Sequence, residues 1–285
     1  MAETFTITEF FKRFPTDEAC LAHLMQVRFG DVLDCPKCGK EGRFTMLTKV
    51  KAFSCPWCGH HIHPMVGTPF ERSSTPLQKW FYAMYLFTTT RHGVPAKELQ
   101  RQLGVTYKTA WRIGHEIRKY MGQIDGDDDL WGHVEVDEAY IGGEAKGAGA
   151  KWRDHKTTVL GMVQRDGNIV TEIVPNASRE VLVDRLIEYV RMGSTISSDE
   201  WRAYRNLRHT GYKHGTVNHS AKEYVRGEVH TNTIEGFWAM LKRSIRGTHI
   251  HLSQKHLDKY LGEFEYRFNM RHRPQTMFAR LLMSF

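Results

Sequence analysis

Long apolar runs are missing from this 285-residue sequence, and none approaches the roughly 20 residues that a helix needs to span a bilayer. The first residues, MAETFTITEFFKRF, lack the basic start and long apolar stretch of a secretory signal. Internal repeats and low-complexity tracts are missing too, whereas the apolar fraction of 41% is that of an ordinary globular protein. These absences predict a cytoplasmic protein of two or three folded units with no membrane partner.

Acidic residues are scarce in the last third of the chain. Between Arg202 and Phe285 there are fifteen Lys or Arg and only six Asp or Glu, so the formal net charge of +8 is concentrated there. A basic segment of this kind favours a polyanionic partner such as nucleic acid. A modest excess of positive charge also improves solubility, so charge alone leaves both interpretations open.

Cysteine is sparse, and four of the five cysteines form two Cys-x-x-Cys pairs with sixteen residues between them. Cys20 stands alone. Two such pairs can present four thiolates tetrahedrally to Zn²⁺, and a glycine directly after each pair fits the tight turns that this requires. The predicted ligands of a structural zinc ion, in a ribbon at residues 31–66, are Cys35, Cys38, Cys55 and Cys58.

Apolar residues at helical spacing predict helices on both sides of the ribbon. A leading helix is expected at 16–29, within residues 1–30, and a mostly buried helix at 75–93. Residues 94–122 contain two helical patterns separated by Leu-Gly-Val-Thr, which fits a helix-turn-helix in a DNA-binding domain at 70–122. The exposed face of its second helix would contact DNA through Tyr107, Lys108, Thr109 and Arg112. An ordinary helical hairpin gives the same pattern and stays open as an alternative.

A run rich in Gly and Asp at 122–132 predicts a linker, and beyond it the pattern becomes that of an α/β domain. Strands are predicted at 133–143, at 195–201, at 213–219 and within 157–175, where Asp166-Gly167 marks a hairpin turn. Helices are predicted at 178–193, 232–245 and 253–271. This order predicts an α/β fold with a mixed sheet and flanking helices over residues 131–285.

Three acidic residues occupy distinctive places in this domain. Asp137 interrupts a strand that ends in Gly-Gly, and Asp199 lies at the end of another strand. Their acidic neighbours, Glu138 and Glu200, point to the opposite face by strand alternation. Glu235 fits a capping box at the start of a helix, with the cap three residues earlier at Asn232. Taken singly, each acid has an ordinary surface or capping role as its simplest explanation.

Basic residues continue the helix that begins near Glu235. Lys242 follows Glu235 by seven residues and therefore lies two turns further along the same helical face. Arg243 and Arg246 extend the positive charge, so these three residues are predicted to contact DNA.

Several segments together resemble a known family. VEVDEAYIGG, ISSDEWRAY and HTNTIEGFWAMLKR, with CPKC and CPWC ahead of the two-helix pattern, are similar to the DDE transposases of bacterial insertion sequences. The similar branch is ISXO-like, with an amino-terminal zinc ribbon and a ribonuclease-H-like catalytic domain. The resemblance covers nearly the whole chain and implies that Asp137, Asp199 and Glu235 form the catalytic triad, followed by Lys242. Some relatives have Asn at the third place, so Asn232 is a second candidate.

The resemblance also implies a reaction and its partners. The triad would bind Mg²⁺ or Mn²⁺, which prefer carboxylate oxygens, for phosphoryl transfer. The protein would bind the terminal inverted repeats of an element, cleave DNA and join the freed ends to target DNA, acting as a dimer or larger assembly on DNA. Two alternatives remain: a DNA-binding regulator with an inactive domain, and a ribonuclease-H-like nuclease that does not join strands.

Overall fold

The computed structural model describes residues 5–125, 129–142, 156–205, 207–249 and 252–283. The chain divides into two compact units, the first formed by Met1–Tyr120 with Arg273–Phe285 and the second by Met121–His272. Two parts of the sequence predictions, residues 126–128 of the linker and Gly143 of the Gly-Gly pair, lie outside the described residues. Within the described ranges, no helix is both long enough and apolar enough to cross a membrane.

The predicted helices and strands occur in the expected order, and the structure adds one helix near each end of the chain and short strands in the ribbon. In chain order the helices are α1 (Ile7–Arg13), α2 (Asp17–Phe29), α3 (Leu77–Thr89), α4 (Ala96–Leu103), α5 (Tyr107–Asp125), α6 (Arg179–Tyr189), α7 (Asn232–Ser244), α8 (Leu257–Asn269) and α9 (Met277–Met283). The strands are β1 (Leu33–Asp34), β2 (Glu41–Gly42), β3 (Thr45–Leu47), β4 (Ala52–Ser54), β5 (His61–Ile62), β6 (His133–Ile141), β7 (Thr157–Gln164), β8 (Ile169–Val174), β9 (Thr195–Ser198) and β10 (Lys213–Thr216).

Helices α1 and α9 were not predicted, and both belong to the first unit. Helix α1 begins with a capping box, because the Thr6 hydroxyl accepts from the Glu9 N–H at 3.3 Å and Glu9 accepts from the Thr6 N–H. Helix α9 places Phe278 against Phe10 and Phe14, with ring centroids 5.9 and 6.1 Å apart. Residues from Arg273 on therefore group with the first unit, whereas the predicted catalytic domain extends to residue 285.

The cysteine-bearing segment is a ribbon of short antiparallel strands. Strand β1 pairs with β2, and β4 pairs with both β3 and β5. Each Cys-x-x-Cys pair makes the same turn: the Gly39 N–H donates to the Cys35 carbonyl at 2.8 Å and the Gly59 N–H to the Cys55 carbonyl at 3.1 Å. The positive φ angles of these glycines, +68° and +72°, explain the residue type expected there.

The predicted linker starts too early, because α5 continues through Asp125. Gly122 lies inside this helix, where a Cβ atom would approach the Cα of Gly262 in α8 to 3.3 Å. The glycine thus permits close packing of two helices and does not end the helix. Asp125 also accepts a hydrogen bond from the Asn269 side chain at 2.7 Å, which ties the end of α5 to the end of α8.

The second unit is built on a five-stranded mixed sheet with the order β10-β9-β6-β7-β8. Strands β6, β7 and β8 form an antiparallel meander, and the turn at Asp166-Gly167 joins the last two as predicted. Strand β9 runs parallel to β6, and β10 runs parallel to β9. The mixed α/β fold is confirmed, while its ribonuclease-H-like character and the helix-turn-helix stay predictions.

Helices cover both faces of this sheet. On one face, Val134 and Val136 of β6 pack in a core with α6, and on the other face Ala139 and Ile141 pack in a core with α7 and α8. Asp137, two residues before Ala139, therefore faces α7 by strand alternation. Glu138 faces the α6 side, where Tyr204 donates a hydrogen bond to it.

A glycine opposite Asp137 lets α7 approach the sheet. Gly161 of β7 pairs with Asp137, and a Cβ atom at Gly161 would lie 2.4 Å from the Trp238 ring and 2.8 Å from Ile234. Atoms cannot approach so closely, so only glycine admits this packing. Helix α7 consequently lies beside Asp137.

Candidate functional site

The four paired cysteines meet at one point of the ribbon. The Sγ atoms of Cys35 and Cys58 are 3.7 Å apart, those of Cys38 and Cys55 are 3.9 Å apart, and all four lie within 4.8 Å of one another. Zn–S bonds of about 2.3 Å in a tetrahedron place the sulfurs roughly 3.8 Å apart. The cluster therefore fits a structural zinc ion, as the sequence predicts, and Cys20 lies buried elsewhere.

Asp137 lies in the middle of β6 and is half-buried. Burial raises the pKa of its carboxyl to about 6, and repulsion from Asp199 and then Glu235 adds to the increase. The positive charge of Lys242 acts in the opposite direction. These four predicted site residues are therefore electrostatic neighbours.

Asp199 follows the last residue of β9 and accepts a hydrogen bond from the backbone N–H of Trp201 at 2.9 Å. Burial raises the pKa of Asp199, and repulsion from Glu200 and Glu235 raises it further, while the Trp201 hydrogen bond and His219 oppose the increase. The predicted strand at 195–201 ends at Ser198, so Asp199 belongs to the loop after the strand.

Glu235 occupies the first turn of α7, and 46% of its side chain is exposed. Its Oε1 accepts a hydrogen bond from the Thr231 hydroxyl at 2.6 Å and lies 3.5 Å from His219 Nε2. The capping box predicted with Asn232 is wrong: Thr231 is the N-cap, and Asn232 is the exposed first residue of the helix. The Glu235 carboxylate thus contacts the side chain of the N-cap residue and lies beside His219.

The three carboxylates do not form a closed cluster. Among the residues that the structure describes, only the four cysteines bring three or more ligand atoms within 4.8 Å of one another. Asp137, Asp199 and Glu235 come from a strand, a loop and a helix, and they interact through their charges at longer range.

The basic residues predicted near the acids are exposed. Lys242 and Arg243 lie in the last turn of α7, and Arg246 lies in the π-helical segment Ile245–His249 that continues it. The positive charge of Lys242 lowers the pKa of Asp137.

Sequence reasoning missed Glu135, a fully buried acid two residues before Asp137. The backbone N–H groups of Thr233 and Ile234, in the first turn of α7, donate to its Oε2 at 2.8 and 3.2 Å. Arg165 Nε donates to its Oε1 at 2.9 Å, and His230 Nδ1 lies 3.1 Å from the same oxygen. Glu135 therefore supplies the capping that the predicted Asn232–Glu235 box does not.

Arg165 extends this buried group. Its guanidinium donates to the His230 carbonyl at 3.2 Å and lies 3.0 Å from His133 Nδ1, while His133 Nε2 bonds to Ser197 at 2.7 Å. The network links β6 and β9 to His230, which lies just before α7. Strand β6 contains three acidic residues, Glu135, Asp137 and Glu138, and no sequence pattern singled out Glu135.

The sequence also gave Glu200 no role beyond being solvated or paired. Its carboxylate accepts hydrogen bonds from the Ser220 hydroxyl at 2.6 Å and from the N–H groups of His219 and Ser220 at 2.9 and 3.1 Å. The Ser220 hydroxyl bond and these further bonds lower the pKa of Glu200 to about 2. Glu200 therefore fixes the backbone that carries His219 toward Glu235.

Glu138 behaves differently from its neighbour Asp137. Burial raises the pKa of its carboxyl to about 8, and repulsion from Asp137 and Asp199 contributes, although the hydrogen bond from Tyr204 opposes the increase. The predicted separation of Asp137 and Glu138 onto opposite faces is present, and it gives the two carboxyls separate surroundings.

The predicted DNA-contacting residues lie at the start of α5. Tyr107, Lys108 and Arg112 are exposed, and Thr109 is half-buried with its hydroxyl 3.0 Å from that of Thr106. Lys97 of α4 lies over the Tyr107 ring at 5.0 Å. Arg112 donates to Ser73 Oγ at 3.1 Å, so its guanidinium already has a protein partner.

Comparison with known proteins adds the family. Residues 129–269 match the model of an ISXO2-like transposase domain, and residues 15–61 match that of a transposase zinc-ribbon domain. The first match contains Asp137, Asp199 and Glu235, and the second contains the four cysteines of the ribbon.

Two relatives agree with these matches. A protein in transposable element ISH50 of Halobacterium salinarum is 27% identical over 290 residues, covering 92% of this chain and 94% of the relative. A transposase-like protein of Haemophilus influenzae is 30% identical over 101 residues, covering 35% of this chain and 80% of the relative. With a zinc-binding geometry in one matched segment and coupled acids in the other, the chain belongs to the family of insertion-sequence transposases that join an ISXO2-like transposase domain to a zinc ribbon.

Proposed function

We propose that this protein binds the terminal inverted repeats of an insertion sequence, cleaves DNA at the element ends and transfers the freed ends to target DNA. The observation that carries the proposal is the coupling of Asp137, Asp199 and Glu235 within the transposase domain. Like charges gathered from three separate elements repel one another, which disfavours a purely structural role.

The sheet order supports a ribonuclease-H-like catalytic domain. In such folds the first acid lies on the first strand, the second just after the fourth, and the third on a later helix. Asp137 on β6, Asp199 after β9 and Glu235 on α7 have these positions within the sheet order β10-β9-β6-β7-β8.

Asp137, Asp199 and Glu235 would hold the catalytic Mg²⁺ or Mn²⁺. Their donor chemistry fits, since hard divalent ions prefer carboxylate oxygens. Burial, with smaller contributions from the charges of Asp199 and Glu235, raises the pKa of Asp137, so a bound cation would favour its ionised form. When bound, such ions activate an attacking oxygen and stabilise the leaving oxygen during displacement at phosphorus.

The side chains around the triad have separate tasks. Thr231 and His219 orient the Glu235 carboxylate, and exposed Lys242 binds a phosphate close to the scissile bond. Asn232 lies one helical turn before Glu235 on the exposed side of α7 and remains the second candidate for the third triad position.

The proposed reaction has two displacements at phosphorus. Water first attacks the phosphodiester at the element boundary and frees a 3′ hydroxyl, and that hydroxyl then attacks a phosphodiester of the target. Each step breaks one P–O bond and forms one, so no side chain forms a covalent bond to DNA. Because two element ends must be joined, the active complex contains at least two copies of the chain.

Recognition of the element ends is assigned to the first unit. Helices α4 and α5 would act as a helix-turn-helix, with Tyr107, Lys108, Thr109 and Arg112 toward DNA. Arg243 and Arg246, together with Lys242, would bind phosphates beside the acids.

The proposal is tested with labelled DNA that carries an element end, in Mg²⁺ or Mn²⁺. Wild-type protein is expected to nick at the element boundary, and Asp137→Asn, Asp199→Asn and Glu235→Gln are each expected to nick at least about 100-fold more slowly. Asp184→Asn is the matched control, because Asp184 is an exposed acid on α6, across the sheet.

Four outcomes would change the proposal. Absence of nicking by wild type contradicts it, as does undiminished nicking by Asp137→Asn. Nicking without any joined product identifies a nuclease instead of a transposase. If Asn232→Ala stops nicking while Glu235→Gln does not, Asn232 takes the third triad position.

A further inference from the structure

The segment Val217–His230, here called the 217–230 loop, joins β10 to α7 and is fixed at both ends. At its start, Glu200 accepts the hydrogen bonds of His219 and Ser220 described above. Near its end, Arg226 and Val229 pair through their backbones. Val229 also packs on Gly215 of β10. A Cβ atom added to Gly215 would lie 2.5 Å from a methyl group of Val229. The loop is thus held in place on elements next to Asp199 and Glu235.

This well-held loop exposes two neighbouring apolar side chains. Tyr224 is 55% exposed and Val225 is 53% exposed. In the described part of the second unit, only one other Phe, Trp or Tyr, Trp131, is comparably exposed. These two adjacent side chains offer a small apolar contact surface on an ordered loop.

A single side chain, His219, contacts both Tyr224 and Glu235. Its ring meets the His219 ring at a centroid distance of 5.3 Å and an angle of 62°, an edge contact that leaves one ring face accessible. The same His219 lies 3.5 Å from Glu235 Oε1. Exposed Lys222, two residues before Tyr224, adds a positive charge. An accessible aromatic face beside a cation is the combination that binds single-stranded nucleic acid.

We propose that Tyr224 stacks on a nucleobase that becomes unpaired at the cleaved end of the DNA. This inference rests on the proposed function, because it places the scissile phosphate at Asp137, Asp199 and Glu235. Opening the terminal base pair costs unstacking energy, and a new stacking partner for the freed base offsets that cost. Because every base has a flat aromatic face, the contact tolerates any sequence at the boundary.

Two variants of Tyr224 separate stacking from other roles. Tyr224→Ala is expected to nick a fully paired element end about tenfold more slowly than wild type, while Tyr224→Phe keeps the ring and nicks at nearly the wild-type rate. On DNA with a mismatch at the boundary pair, the deficit of Tyr224→Ala shrinks because the pair is already open. Trp131→Ala is the matched control and leaves nicking unchanged on both substrates.

A contact measurement complements these rates. Element-end DNA with 5-iodouracil at the boundary nucleotide is bound to Asp137→Asn protein and irradiated, and the crosslinked residue is mapped by mass spectrometry. Crosslinking at Tyr224, retained with Tyr224→Phe and lost with Tyr224→Ala, is the expected result. Unchanged melting temperature of Tyr224→Ala shows that the fold is intact, as its exposure predicts.

The outcomes distinguish this inference from the proposed function. If wild type nicks but Tyr224→Ala nicks paired DNA equally fast, or the crosslink maps elsewhere, stacking by Tyr224 is wrong and the transposase proposal stands. If Tyr224→Phe is as slow as Tyr224→Ala, the phenol group and not the ring is responsible, which also overturns stacking. If wild type nicks no element end, both proposals fail.

Discussion

Glu135 carries a charge with no access to water, and its neighbours account for how it is tolerated. Arg165 provides the opposite charge at 2.9 Å, and the first turn of α7 adds two N–H donors. The positive end of the helix dipole favours an anion at this place. Because Glu135 and Asp137 lie on the same face of β6, one strand holds the start of α7 and also presents a predicted triad residue to it.

Replacing Glu135 is expected to destabilise the second unit strongly. Glu135→Gln keeps the shape of the side chain but leaves Arg165 without its counter-charge, and breaking a buried pair costs about 3–5 kcal/mol. The free energy of unfolding, measured with urea, should fall by this amount. Glu180→Gln, at an exposed acid on α6, should stay within about 0.5 kcal/mol of wild type. Equal stabilities of the two variants would contradict this account of Glu135.

Individual residues differ in how far the sequence reveals them. The cysteine spacing predicts the zinc cluster, because four ligands within one short ribbon are close in sequence as well as in space. Asp137, Asp199 and Glu235 are singled out by their segments and by the family resemblance, and the structure adds their electrostatic coupling. Glu135 bonds to residues 98 and 99 positions away, and no local pattern encodes such contacts.

Among the elements, α7 depends on two positions outside itself. Its Trp238 lies on Gly161, and its first turn bonds to Glu135, so both contacts with β6 and β7 fix where Glu235 and Lys242 stand. Helix α7 packs so close to β7 that only glycine fits at position 161.

Gly161→Ala is therefore expected to impair nicking more than stability. The added methyl group displaces Trp238, which costs about 1–3 kcal/mol by overpacking. The same displacement moves Glu235 and Lys242, and a shift on the order of 1 Å reduces catalysis roughly 100-fold. Nicking rates and urea unfolding measure the two effects separately.

A second glycine provides the control for this variant. Gly236, on α7 itself, has no atom near the position of an added Cβ, so Gly236→Ala should stabilise the helix by roughly 0.5–1 kcal/mol. Similar effects of both alanines would show that the approach of α7 to β7 does not matter.

Most elements follow from sequence periodicity, and the exceptions have physical reasons. Periodicity predicts α2, α3, α6, α7, α8 and the strands of the large sheet, because their apolar residues repeat at the spacing of a buried face. Gly122 leads to a wrong helix end in the prediction. A single sequence does not show whether a glycine ends a helix or, as here, permits close packing against another helix, α8. Helix α9 is short and gains its burial from α2 (Asp17–Phe29) and α3 (Leu77–Thr89), which lie far earlier in the chain.

At the scale of the whole molecule, the chemistry is divided between the two units. The cysteine cluster belongs to the first unit, and the coupled acids belong to the second. Soft thiolate ligands suit zinc, whereas hard carboxylate ligands suit Mg²⁺ or Mn²⁺, so under the proposed function the two sites would select different metals.

Removing zinc should therefore unfold the ribbon and leave the second unit folded. Freshly purified wild type is expected to contain about one Zn²⁺ per chain, and Cys55→Ser much less. In hydrogen exchange, Cys55→Ser should lose protection at residues 33–62 and keep it in β6 and β7. Cys20→Ala, at a buried cysteine outside the cluster, should keep its zinc. Zinc content well below one in wild type would contradict the site.

Helix α9 has a consequence for synthesis on the ribosome. The aromatic core of the first unit includes Phe278, so Met1–Tyr120 cannot complete that core before Met121–His272 and α9 have been translated. Met121–His272, by contrast, is already complete when translation reaches α9. Domains usually fold from the amino terminus as they emerge. Here the nascent chain is expected to complete its amino-terminal core only after the residues of its acid-bearing unit have been synthesised.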